Sequence, residues 1–298
     1  MKRLHILVEN SGDRARLGRL CGVVGVICNL CLAAVKFAVG LTSGLVSVTA
    51  DAANNLSDAF TSLVTCVGFW LAGRPADKEH PFGHARYEYL ASLAVSVLIA
   101  VLGISLVFES VGKIIRPQMP TLSAVSAAFL AAAVLVKLWL WWFYRKAGTK
   151  IDSAVLLAAA ADSKNDVIGS LSVLAGCGIS ALTGLPLDGY IGFAVAGLVI
   201  YTGFTCGKEA ISLLIGKTDK QLMAALHSAI INDTRVMSCH DLLVHDYGPG
   251  CRFASCHVRL VENRDPIVCH DVIDSIEKKI QQEMGVSLVI HYDPPKNK

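Results

Sequence analysis

Six stretches of this chain, at about 18–41, 45–72, 88–112, 122–144, 153–182 and 188–214, are each apolar over roughly the twenty residues that an α-helix needs to cross a bilayer. In hydrocarbon every backbone polar group must find its partner inside the protein, so consecutive runs of this kind specify a helical bundle in lipid. Composition agrees: 53% of the residues are hydrophobic and only 17% charged, against about 25% charged in ordinary soluble domains. So apolar a chain cannot remain disordered in water. A formal net charge of +3 supplies no basic field for nucleic acid, which is not an expected partner.

The apolar runs end near residue 215, and 216–298 carries much of the charge. Two domains are expected, a six-helix transmembrane domain over 1–215 and a cytosolic domain over 216–298. In the second, Asp219 to Ile231 reads as an amphipathic helix, Asp241 to His245 and Arg252 to Val261 as strands around a Tyr247 to Gly250 turn, Pro266 to Met284 as a helix, and Val286 to Tyr292 as a strand. The order αββαβ predicts a small two-layer α+β domain of ferredoxin-like type.

Lys and Arg cluster before the first run (Lys2, Arg3, Arg14, Arg16, Arg19) and in the second and fourth connections (Arg74, Lys78, Arg86, Arg145, Lys146, Lys150). Positive residues stay on the cytoplasmic side, so both termini are expected there. No cleavable signal sequence is read near Met1, and the expected location is the cell (inner) membrane, multi-pass. Of ten cysteines, Cys21, Cys28, Cys31, Cys66, Cys177 and Cys206 lie in the apolar runs and are read as reduced thiols.

Two of the runs hold charges that need a reason. Asn54 and Asp58 stand four residues apart in the second run, and Asp162 and Asp166 four apart in the fifth, so each pair points from one helical face. Two such faces make a four-oxygen site for a divalent cation inside a bundle. Packing alone does not account for three aspartates at membrane depth. Asp51 shares the face of Asn54 and Asp58 about a turn away; it is either a polar helix contact or a further group on the ion path. Lys164 points elsewhere.

Ala50-Asp51, Asn54-Asn55, Asp58, Pro75-Ala76-Asp77, His80 and Phe82-Gly83-His84, the DxxxD of the fifth run and the closing Val289-Ile290-His291-Tyr292-Asp293-Pro294 together resemble the cation diffusion facilitator family over nearly the whole chain. The resemblance implies a homodimer that exports divalent metal from the cytoplasm in exchange for protons, by alternating access at Asn54, Asp58, Asp162 and Asp166. Zinc members of that family carry histidine in this set. An all-oxygen set suits harder ions, so Mn2+ is the expected cargo, with Zn2+ or Fe2+ as alternatives. Metal and protons would compete for the same carboxylates, and Asn54 cannot take part in that exchange.

The family's pattern also implies a loop metal site at Asp77, His80 and His84; the other reading is a solvated loop in which Pro75 and Pro81 set the turns and the histidines cap helices. Matching family positions in the cytosolic domain bind regulatory metal, which points to His240, His257, His291 and Asp293, with His270 as a bridging ligand. His291 and Asp293 lie at i and i+2 of a strand and share a face. Cys239 and Cys256 immediately precede histidines and so face the opposite side, toward the core. No cofactor is required beyond transported and regulatory metal, and lipid is the surrounding partner. No nucleophile-and-base constellation or P-loop marks an enzyme. A membrane-tethered metal sensor is the reading from a different class, and it leaves the paired intramembrane carboxylates without a use.

Overall fold

The computed structural model describes residues 11–43, 46–116, 124–183, 188–261 and 265–294. The described residues divide into two compact units, one drawn from 15–71 and 88–211, the other from 11–14, 72–87 and 212–294.

Six long helices make the first unit: α1 (Ser11–Ser43), α2 (Val46–Ala72), α3 (Tyr87–Ile115), α4 (Ala124–Ile151), α5 (Ala154–Thr183) and α6 (Asp188–Leu214). They follow the six apolar runs, except that α1 begins and α4 ends about two turns into the flanking polar sequence. Within α1, α3 and α6 the segments Asp13–Val35, Tyr87–Ile115 and Gly189–Leu214 are long and apolar enough to cross a membrane by length and composition. Large apolar side chains point outward, among them Ile27, Phe60, Phe108, Trp142 and Phe204. The interior meanwhile holds Asn29, Asn55, Asp58, Lys137, Asp162 and Asn165. That inversion of the soluble pattern fits a lipid surround.

Local chemistry sets the helix contacts. A Cβ on Gly22 would stand 2.6 Å from Cys66 Cβ, so glycine there lets α1 and α2 approach backbone to backbone. Between α4 and α5 the chain reverses in two residues. Asp152 takes a left-handed φ of 50°, the Ser153 N–H donates to Gly148 O at 2.9 Å, and the Ser153 hydroxyl accepts from Leu156 N at 3.3 Å as an N-cap. This tight hairpin fixes the register of the two helices. Counted at 1.5 Å per residue, Lys137 and Asp166 stand about 21 and 18 Å from the turn, at nearly one depth.

In the second unit α7 (Lys220–Ile231), β1 (Val236–Asp246), β2 (Arg252–Leu260), α8 (Pro266–Met284) and β3 (Val286–Tyr292) follow in the expected order. The sheet order is β1-β2-β3, with β1 and β2 antiparallel and β2 and β3 parallel. Asp219 caps α7 by accepting from Gln221 N, and Asp265 caps α8 by accepting from Ile267 N, each at 2.8 Å. One core joins Leu222, Leu226 and Ile230 of α7, Ile276 and Ile280 of α8, and the alternating Ala254, Cys256, Val258 and Val286, Leu288, Ile290 of the strands. Period-2 alternation sends His257 and His291 to the sheet's other face.

Candidate metal centres

Three groups of donors converge among the described residues. The deepest joins α2 and α5: one carboxylate oxygen from each of Asp58, Asp162 and Asp166 lies within 4.8 Å of the others. Asp58 and Asp162 are buried and Asp166 is partly so. Asn54 and Asp51 lie on α2, but their side chains are outside the described residues. Lys164 is exposed, as its position between the two aspartates requires.

Sequence reasoning missed Lys137. Its ammonium, on α4 and buried, donates to Asp58 Oδ2 at 2.6 Å and to Asp166 Oδ2 at 2.7 Å, bridging α2 and α5 across the carboxylate group. The available signal was a lone positive residue in the middle of the fourth apolar run. One turn from Asp58, Ser62 donates to the Asp58 carbonyl at 3.0 Å, accepts from Asn29 Nδ2 at 3.4 Å and meets Tyr144 Oη at 3.4 Å, so buried polar groups continue past the carboxylates. Cys28 and Cys31 on α1, read above as reduced thiols, stand at CxxC spacing and are free.

The second group lies in the 72–87 loop. Asp77 Oδ1 accepts from the N–H of His80 at 2.7 Å and of Glu79 at 3.0 Å, which folds the loop into an Asx turn. The same carboxylate faces His80 Nδ1 at 3.3 Å and His84 Nε2 at 3.4 Å. His84 Nδ1 is 3.0 Å from Pro75 O, and because a carbonyl only accepts, that nitrogen carries the proton. With Nδ1 engaged by the carbonyl, Nε2 is the ring nitrogen left facing Asp77, and a metal-binding histidine commonly gives one nitrogen to a backbone carbonyl and the other to the ion. The donations from His80 and Glu79 hold the Asp77 carboxyl below the usual carboxylate range. The residue that shapes the turn is also the one that gathers the donors.

The third group lies on the sheet face away from the helices. His240 pairs with His257 across β1 and β2, and His257 pairs with His291 across β2 and β3, so three imidazoles form one row. Ring centroids are 5.3 and 4.7 Å apart. Asp293, anchored by its N–H to Val258 O at 2.9 Å, faces His257 Nδ1 at 3.1 Å and His240 Nε2 at 3.2 Å. The hydrogen bond from His257 holds the Asp293 carboxyl below its ordinary range. His240, His257 and Asp293 bring ligand atoms within 4.8 Å of one another, and the His291 ring lies beside them, tilted 50° to that of His257. His270 stands apart from this group, exposed in the first turn of α8 against its neighbour Asp271. His245, also exposed, pairs in register with Phe253. Cys256 is fully buried, and burial pushes its thiol up to about 12. It is core packing, with no thiolate to offer.

Comparison with known proteins places this geometry. The family model for the cation efflux transmembrane domain matches residues 22–215, and that for the cytoplasmic domain of cation efflux proteins, a dimer-forming module, matches 218–295. The chain belongs to the cation efflux family. It is therefore a membrane transporter of the cation diffusion facilitator type and not an enzyme. Its relatives include the manganese efflux system protein MneS of Bacillus subtilis, 25% identical over 96% of this chain and 99% of that protein. The cation-efflux pump FieF of Salmonella newport is 28% identical, over 85% and 84%. Metal tolerance protein 2 of rice is 27% identical, over 87% and 73%.

Proposed function

We propose that this efflux protein carries Mn2+ out of the cytoplasm in exchange for protons, as a homodimer whose 1–215 domain provides six spans and whose 216–298 domain senses metal. The observation that carries this reading is the set of donors at the deep site: Asp58, Asp162 and Asp166 supply only carboxylate oxygens. Zinc favours nitrogen and sulfur, whereas oxygen-only sets suit Mn2+. The Bacillus subtilis relative, a manganese efflux protein by name, supports the same cargo. Asn54, four residues before Asp58, is the fourth ligand in this reading, and Asp51 belongs to the path leading to it.

Antiport follows from competition. Three carboxylates in a low-dielectric interior hold a dication or take up protons, and a higher proton concentration outside favours metal release there. Alternating access exposes the α2 and α5 faces to one side at a time. The loop donors Asp77, His80 and His84 and the row of His240, His257 and His291 with Asp293 are the accessory sites. The cytosolic row regulates through the dimer, and His270 would join it only from a second chain or after a rearrangement. A metal sensor tethered by inert helices does not need three convergent carboxylates.

The test is metal flux into proteoliposomes with an imposed pH gradient, comparing Mn2+, Zn2+ and Fe2+ in the wild type and in Asp162→His. Mn2+ flux that depends on the gradient, with Zn2+ flux gained in the variant, is the expected result. A wild type that prefers Zn2+ would overturn the manganese assignment.

A further inference from the structure

A divalent ion bound among the carboxylates that the Lys137 ammonium grips would meet a like charge at close range, so the two cations compete for this site. Lys137 stands within 2.7 Å of both Asp58 Oδ2 and Asp166 Oδ2, two of the three carboxylates of the deep site. It arrives from α4, a helix that contributes none of the three carboxylates. Its α4–α5 hairpin is closed by the two-residue turn at Asp152 and Ser153, so backbone sliding is not an easy way to remove it. What can move is the four-carbon stem, which carries a compact point charge on rotatable bonds.

We propose that Lys137 is a tethered cation that occupies the transport site between translocation events, and that metal binds only as the ammonium swings off Asp58 and Asp166. The proposal rests on the assignment of Asp58, Asp162 and Asp166 as the transport site. In this arrangement the lysine sets the apparent affinity. A carrier whose site is filled by its own side chain binds metal more weakly by the fraction of time the site is free. If Lys137 is engaged nine-tenths of the time, that weakening is about tenfold. The returning carrier keeps its carboxylates partly neutralised, and outward release is assisted because the ammonium reclaims the oxygens. Selectivity follows too, since a weakly held ion has to displace a bound charge.

The test is Mn2+ transport by the full-length protein in proteoliposomes, with KM and maximal rate measured separately for Lys137→Met, Lys137→Gln, Lys137→Arg and Asp162→Asn. Removing the charge should lower KM about tenfold and slow turnover, because release loses its competitor, while arginine should return KM toward the wild-type value. Unchanged or raised KM in the Met and Gln variants would overturn the proposal and leave Lys137 as a structural ion pair. Failure of both neutral variants to fold would overturn it in the same way. Asp162→Asn distinguishes the site from the lysine: if it transports Mn2+ like the wild type, the site assignment itself fails, whereas if transport is lost and only the lysine variants behave as wild type, the site stands and the tethered cation does not.

Discussion

Arg86 donates to the main-chain carbonyl of Asp246 through both Nη2, at 2.7 Å, and Nε, at 3.2 Å, across 160 residues of sequence. Its guanidinium also lies over the Tyr247 ring at 4.5 Å. Phe82 stacks on Tyr247 at 4.2 Å and meets Phe253 edge-on at 5.0 Å, and Cys251 Sγ donates to Phe82 O at 3.1 Å. The loop that carries Asp77, His80 and His84 is thus clamped to the β1–β2 turn. Arg86→Ala should free it at a cost of about 2 kcal/mol, the size of a charge-assisted hydrogen-bonded contact. Hydrogen exchange should rise together in 76–85 and 247–251, and protection unchanged in 76–85 would show that the aromatic stack alone holds the loop.

Gly248 makes the same contact sensitive to a single methyl group. It sits at φ 119°, and a Cβ there would lie 2.5 Å from Ala85 C. Gly250, two residues on at φ 79°, has open space around its missing Cβ. Gly248→Ala therefore combines backbone strain with a clash and should destabilise the turn by about 3 kcal/mol, whereas Gly250→Ala carries strain alone, about 1 kcal/mol. Thermal unfolding of the two variants side by side checks the order, and equal losses would mean that the Ala85 contact yields without cost.

Much of this was legible in the sequence because periodicity is local. Six apolar runs gave six helices, and the i and i+2 spacing of His291 and Asp293 placed both beside His257. The start of β1 was not legible: the strand begins at Val236, five residues before the expected Asp241, because a bulge between His240 and Leu243, with Asp241 at φ 51°, interrupts the alternation. Lys137 was overlooked for a different reason. Helical spacing relates residues on one helix, and the lysine is a single residue on another helix whose meaning appears only when charges are counted across the bundle. The Arg86 clamp joins residues that no local pattern relates.

Asp77 does two things with two oxygens, and substitution can separate them. Oδ1 holds the turn through the Glu79 and His80 N–H groups, and Oδ2 faces His84. Asp77→Asn keeps an acceptor for the turn and loses the charge, so the loop should stay folded while its metal affinity falls about 10- to 100-fold. Asp77→Ala should lose both. Equilibrium dialysis against Zn2+, with hydrogen exchange on the same samples, distinguishes them. Full metal stoichiometry in the Asn variant would mean that the two histidines suffice.

In the cytoplasmic domain His257 is central, touching His240, His291 and Asp293. If the row holds metal as proposed, His257→Ala should lower the domain's metal affinity about 100-fold, because it removes a ligand together with the group that orients Asp293. His270→Ala should leave a single chain's metal content unchanged, because its ring lies against Asp271 away from the row. Metal counted per chain by mass spectrometry of the intact protein decides. Loss of metal in the His270 variant would show that a second chain brings that imidazole to the site.

Acid should loosen the junction between α7 and β1. Asp233 is gripped by Arg235, with Nη2 to Oδ2 at 2.7 Å and Nε to Oδ1 at 2.8 Å, and these hydrogen bonds pull its carboxyl down to about 2. A carboxyl depressed in the folded state adds stability that is complete above its unfolded value near 4 and disappears as pH falls toward about 2. The pair lies near the surface, where solvent screening limits its contribution to about 1 kcal/mol. Asp233→Asn should therefore lower stability at pH 6 by that amount and narrow its gap to the wild type as the pH drops below 4. A difference that persists unchanged at pH 2 would place the effect in the Asp233 backbone contacts rather than in its charge.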